Sequence, residues 1–259
     1  NGAGETIRSG GRVLKNVTGL DLCKLLTGSH GTLGVLTEIT VKVLPSAELS
    51  GSLVIPVPDA KAGVVALSKG LGSPYGVSAA AFLPAEAAER VPELAGRGAV
   101  AVIRIEDFAK SVVYRLGRLE AELGGVRLAD PESRAAWRAI RDAVPLRTEA
   151  GDAIWRLSVR PSAGPAVLIA IEAANGRGFL DWGGGLVWAA GDPNLHEKIV
   201  AAARGAGGDW TVLRAPEGMR AAIDVVPPEA EALARITRRV KAAMDPQGIL
   251  NPGRLYPGL

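Results

Sequence analysis

The chain has 259 residues, 47% hydrophobic and 22% charged, a globular composition with room for one large domain or two smaller ones. No apolar run approaches the roughly eighteen residues of a bilayer span, and Asn1–Arg12 is polar and Gly-rich, unlike a signal peptide. A net charge of +3, 4% aromatic residues and no Lys/Arg block with interleaved aromatics argue against nucleic acid, and a single cysteine excludes an internal disulfide framework and fits a reducing, cytoplasmic compartment.

The opening NGAGETIR has Asn-Gly turn chemistry leading into a strand. A hairpin turn needs a strand on both sides, so the expectation is a chain that begins inside a domain. Lys15–Gly19 reads as a loop, and Leu22, Leu25 and Leu26 as the apolar face of a short helix that Asp21 caps. A glycine-rich loop follows, then an imperfectly alternating strand over Val35–Leu44 that Pro45 ends. SAELS is a connector, which places one domain over 1–48 and a second from 49.

From there the pattern is strand 51–57, helix 60–71, strand 77–83, strand 99–105, helix 111–123 and short strand 126–129. Val112, Val113, Leu116, Leu119 and Leu123 form the inward face of that second helix. The order β-α-β-β-α-β is the split βαβ of ferredoxin-like folds. After a linking helix over 132–144 the same order recurs: strand 154–159, helix 163–174, strands 179–182 and 186–190 pairing across Gly183–Gly185, helix 194–204 and strand 209–215. No residue-level repeat accompanies it, so the order is duplicated and the sequence is not. The domain over 49–225 is therefore expected to hold two such units in an α+β fold. The remainder, 226–259, opens with Pro227-Pro228 into a helix that turns Leu233, Ile236, Val240 and Met244 inward, then runs out as a Pro-punctuated tail.

The inventory of reactive side chains is thin. Two histidines without a His-x-x-x-His or Cys/His cluster predict no metal site. Cys23 reads as a buried or half-buried thiol and His196 as a solvated surface residue. His30 lies inside the glycine loop, where its backbone matters more than its ring. That loop, GSHGTLG, stands apart. Glycines at 28, 31 and 34 permit positive φ and close approach of a ligand, Ser29 and Thr32 add hydroxyls, and successive N–H groups can form an anion-binding concavity. A strand rather than a helix is expected after it, so it is not the dinucleotide fingerprint. On these grounds a ligand loop and an ordinary tight turn both remain open.

The stretch NVTGLDLCKLLTGSHGTLGVLTEITVKVLP resembles the second flavin-contacting segment of FAD-linked oxidases of the vanillyl-alcohol oxidase (PCMH) type. Together with GGRVLKNVTGLDL, IWRLSVRPSAGP, LDWGGGLVW, AGG at 206–208 and MDPQGILNPGRLYPGL, it resembles the smaller FAD-type subunit of bacterial glycolate oxidases over essentially the whole chain. The resemblance implies a partial FAD-binding subdomain with a ferredoxin-like cap, and FAD as cofactor. It implies contacts from Asn16, Gly19 and Asp21 and from Ser29, Gly31, Thr32, Gly34 and Val35. The family's glycine-rich pyrophosphate loop has no counterpart, so weak or absent FAD binding is expected of this chain alone.

For chemistry, the resemblance implies oxidation of glycolate or a similar small 2-hydroxy acid. A larger flavoprotein subunit and an iron–sulfur subunit would be partners, through which the protein would associate with a membrane. One cysteine cannot hold a four-thiolate cluster. Related hydroxy-acid flavoproteins carry W-x-x-R on the strand like IWRLSV. Here Ser158 stands at the arginine position, and Arg156 lies on the same strand face as a substitute carboxylate clamp. Asn251, Gly253 and Arg254 resemble a tail that returns to the flavin, which makes Asn251 and Arg254 the other candidates. Without the family's metal histidines, a structural or electron-relay subunit is the competing expectation.

Overall fold

The computed structural model describes residues 1–11, 20–146, 148–254 and 256, which divide into two compact units, one of 1–45 with 226–259 and one of 46–225. Asn16 and Gly19 fall outside the described residues. The unit formed by the chain ends begins with an Asx-type turn in which Asn1 Oδ1 accepts from the N–H groups of Ala3 and Glu5. Helix α1 (Leu22–Leu26) follows, N-capped by Asp21. The expected strand over Val35–Leu44 does not form. These residues run without a ladder partner among the described residues, and Val41 and Val43 are 70% and 79% exposed. Alternation selects a face only when a neighbouring strand takes up the N–H and C=O groups, and within this unit none does. Cys23, expected to be buried or half-buried, is exposed.

The second unit is built on one eight-stranded antiparallel sheet. Its first half runs β1 (Leu49–Pro56), α2 (Ala60–Leu71), β2 (Ala79–Leu83), α3 (Ala85–Ala88), β3 (Val100–Asp107), α4 (Ala109–Leu123), β4 (Val126–Leu128) and α5 (Asp130–Arg141). The second half runs β5 (Ala153–Ser158), α6 (Gly164–Ala173), β6 (Arg177–Asp181), β7 (Leu186–Gly191), α7 (His196–Gly205), β8 (Asp209–Arg214) and α8 (Glu217–Ala222). The strand order is β4-β1-β3-β2-β6-β7-β5-β8. Each half is the 4-1-3-2 order of a ferredoxin-like unit, and the second is reversed so that the two meet through their second strands. The seam is a single pair, Phe82 opposite Leu180. The fold is α+β with two βαββαβ units, as the sequence order predicts.

Four helices cover one face. Asp59 caps α2 by accepting from Ala62 N–H at 2.8 Å, and Val64 and Leu67 are buried one turn apart. Gly63 and Gly70 let this helix lie close to the sheet, since a Cβ at either would stand 2.4–2.5 Å from Phe82 or Ile103. On α4, Val112, Leu116 and Leu119 are buried, whereas Val113, expected inward, is 58% exposed. One residue along a helix turns about 100° away from its neighbour. On α6 and α7 the buried residues are Val167, Leu168 and Ile171, and Ile199, Val200 and Ala203.

The opposite face is covered over the first half by α5. This helix is more than a linker, because Trp137 and Ile140 pack on Val54 and Val102, and Trp137 Nε1 donates to Ser52 Oγ at 2.8 Å. Over the second half that face carries Arg156, Phe179, Asp181 and Trp188 rather than an aliphatic core.

Back in the first unit, α9 (Glu231–Met244) turns only part of the expected face inward, with Val240 and Met244 half-buried. Leu233 and Ile236 are exposed, and Lys241 and Asp245 are buried. The i, i+4 pair of charges fixes which side faces in.

Candidate functional site

The loop from 27 to 34 is shaped by its own backbone. Thr27 ends α1 with Oγ1 donating to Cys23 C=O at 2.7 Å. Three residues then take positive φ: Gly28 at +82°, His30 at +53° and Gly31 at +73°. Ser29 C=O accepts from both the N–H and the Oγ1 of Thr32. This left-handed run turns successive N–H groups to one side. Among the described residues nothing accepts from the N–H of Gly31, Leu33, Gly34 or Val35. Beside them lies a groove of about 400 Å³, with Ser29, Gly31, Gly34 and Val35 on one wall and Ile249 and Asn251 on the other. Asn251 Nδ2 donates to His30 C=O at 2.8 Å and so ties the walls at one end.

The candidate residues separate accordingly. Ser29, Gly31, Gly34, Val35 and Asn251 are brought together at the groove. Thr32 is buried beneath it, with its hydroxyl used inside the loop. Asp21 caps α1 by accepting from Lys24 N–H at 3.1 Å, and that bond, with the Lys24 ammonium beside it, holds its carboxyl below the usual range. Arg254 is exposed, and its N–H donates to Asn251 C=O at 3.2 Å.

Arg156 belongs to the other unit. Trp155 and Leu157 face the helices and are fully buried, so Arg156 takes the opposite side of β5. Its guanidinium carbon lies 5.2 Å from the ring centre of Trp188 and 5.5 Å from that of Trp182. Its Nε is shut off from solvent and has no hydrogen-bond acceptor among the described residues. Nearby, burial raises the Asp181 carboxyl above its ordinary value, although the Trp182 N–H, Arg104 and Arg156 pull the other way. Ser158 ends the same strand and is exposed.

His196, expected to be solvated, is half-buried. Trp155 Nε1 donates to its Nδ1 at 3.2 Å, and desolvation pulls its pKa below 6.5. The sequence reading missed this pair and the aromatic bracket around Arg156. It also missed Lys241 and Asp245, whose only signal was a Lys-x-x-x-Asp spacing at the end of a helix. Among the described residues no group of three or more His, Cys, Asp or Glu is placed to hold a metal ion.

Over 262 positions the chain is 32% identical to glycolate oxidase subunit GlcE of Escherichia coli (strain K12), covering all of this chain and 63% of that protein. Over 298 positions it is 28% identical to an uncharacterized FAD-linked oxidoreductase of Mycobacterium tuberculosis (strain CDC 1551 / Oshkosh), covering 98% of this chain and 62% of that one. The chain is similar to FAD-linked oxidoreductases over nearly all of its own length. It spans less than two thirds of the length of these relatives. A solved structure of alkyldihydroxyacetonephosphate synthase has the same fold, with a TM-score of 0.53 at 14% identity over 93% of this chain and 52% of that one. No protein-family model matches the sequence. Among the described residues, no helix is long and apolar enough to cross a membrane.

Proposed function

We propose that this chain is part of an FAD-linked oxidoreductase subunit that converts glycolate or a similar 2-hydroxy acid to the 2-oxo acid. The complex would be cytoplasmic, reaching a membrane through its partners, a larger flavoprotein subunit and an iron–sulfur subunit. The observation that carries the reading is the groove lined by Ser29, Gly31, Gly34 and Val35, in a loop where His30 and Gly31 take positive φ and the N–H groups of Gly31, Leu33, Gly34 and Val35 have no acceptor among the described residues. These residues fit FAD, because glycine leaves the backbone approachable and unpaired N–H groups favour a diphosphate or a reduced, anionic ring. Ser29, Gly31, Thr32, Gly34 and Val35 would hold the cofactor, with Asn251 on the facing wall. Asn16, Gly19 and Asp21 belong to the same proposed contact set.

When bound, FAD supplies a two-electron acceptor for the hydride of the substrate α-carbon. Arg156 is the group suited to the substrate carboxylate. Two indole rings hold its guanidinium in place, and a guanidinium offers a carboxylate several N–H donors for charge-assisted bonds. Ser158, standing where related sequences carry arginine, supports a second reading, a structural or electron-relay subunit that binds flavin and turns over no substrate.

The test uses the full-length protein purified with its partner subunits. Released flavin is measured by fluorescence, and glycolate is then added without oxygen. Bound FAD that bleaches supports the oxidase, provided an Arg156→Met complex bleaches more slowly. Bound FAD bleached equally with and without Arg156 assigns turnover to a partner and leaves this subunit a relay. Absence of FAD from this subunit overturns the cofactor reading.

A further inference from the structure

Lys241 and Asp245 are 7% and 2% exposed, and they form a charge pair at 2.6 Å inside the smaller unit. Taking two charges out of water costs more than such a pair commonly returns, so a buried pair is better explained by the geometry it enforces than by stability. Here the geometry is specific. Lys241 Nζ has three protons, and it donates to Asp245 Oδ2, to Thr32 C=O at 2.8 Å and to Leu250 C=O at 2.8 Å. Asp245 in turn accepts from Leu250 N–H at 2.8 Å and Ile249 N–H at 3.2 Å. Thr32 lies within one wall of the groove, between Gly31 and Gly34. Leu250 lies within the other, between Ile249 and Asn251.

We propose that the Lys241–Asp245 pair is a positioning device that sets the spacing of the two groove walls and so aims the N–H groups of Gly31, Leu33, Gly34 and Val35. This rests on the reading of the groove as the FAD site. Neither residue lines the groove, so neither touches the cofactor. They act through the Thr32 and Leu250 carbonyls. Without Lys241, the one hydrogen bond left between the glycine loop and the tail among the described residues is Asn251–His30, at the surface. The carboxyl of Asp245 is held below its usual range by Lys241 first and then by the two backbone N–H groups, which agrees with an ionised carboxylate.

The test compares Lys241→Met/Asp245→Asn with the wild type in the full-length protein. This double change removes both charges together and keeps an amide oxygen for the N–H groups of Ile249 and Leu250. The expected result is an unfolding midpoint equal to or above wild type, a Kd for FAD at least tenfold weaker, and faster amide hydrogen exchange in 29–36 and 247–252 but not in the sheet unit. Wild-type affinity with wild-type exchange overturns the proposal. So does a variant that fails to fold, which makes the pair a stability element. If the wild type binds no FAD, the cofactor reading fails by itself, and the exchange comparison still decides whether the pair holds the walls.

Discussion

Gly31 and Gly28 have nearly the same backbone conformation and very different surroundings, which makes a matched pair of alanine substitutions informative. Both sit at positive φ, +73° and +82°. An L-residue there costs about 1–2 kcal/mol at either position. A Cβ on Gly28 meets nothing within 4 Å, whereas one on Gly31 would lie 2.9 Å from Asn251 Nδ2. The amide can swing away, but it then loses its bond to His30 C=O, a loss of about 1 kcal/mol. Gly31→Ala is therefore expected to cost about 2–3 kcal/mol and Gly28→Ala about 1–2. At roughly 2–4 °C per kcal/mol for a chain of this size, the thermal midpoints should differ by a few degrees. Only Gly31→Ala displaces a groove wall, so FAD affinity should fall about tenfold for it and stay near wild type for Gly28→Ala. Urea unfolding and flavin fluorescence titration of the full-length protein read both effects. Equal stability losses, or an unchanged affinity for Gly31→Ala, would refute the assignment of Gly31 to a cofactor wall.

Three further substitutions probe the other unit. Gly184 has φ +105°, and its Cβ would lie 2.8 Å from Pro161 C=O and from Val64 Cγ2 on α2, so Gly184→Ala should cost about 3 kcal/mol, read as a lower urea midpoint. His196 has its pKa depressed by burial, so the unfolded chain binds a proton more readily than the fold does. Stability should be full above pH 6.5, decline as the pH falls below it and level off once the folded imidazole also protonates, and His196→Leu should remove that slope from the urea midpoint measured against pH. Arg156→Met should raise KM for glycolate by about 10- to 100-fold, the loss of a charge-assisted bond, while costing no more than about 2 kcal/mol of stability. A wild-type KM for that variant would favour the relay role.

The ferredoxin-like halves were legible because their signals are local. The helical spacing of Val112, Leu116 and Leu119 and the glycine turn Gly183–Gly185 each act within a few residues. The join between halves was not legible, because a single Phe82–Leu180 pair leaves no pattern in either strand. The segment 35–44 alternates like a strand and has none of the strand's bonds within its unit, since pairing is a property of two segments. On α9 the apolar spacing held at Val240 and Met244, which are half-buried, and failed at Leu233 and Ile236, which are exposed, while the buried positions are the charged Lys241 and Asp245. The freedom of Gly28 and Gly31 to take positive φ, the second of them a proposed cofactor contact, could be read from residue type. The part played by Asn251, more than two hundred residues later, rested on resemblance, and the clamp formed by Lys241 required coordinates.

Amide hydrogen exchange of the full-length protein, with and without FAD, tests the groove most directly. The account predicts that FAD slows exchange in 29–36 and 249–251 more than anywhere in the eight-stranded sheet. Slowing confined to other segments, with these two unchanged, would contradict it.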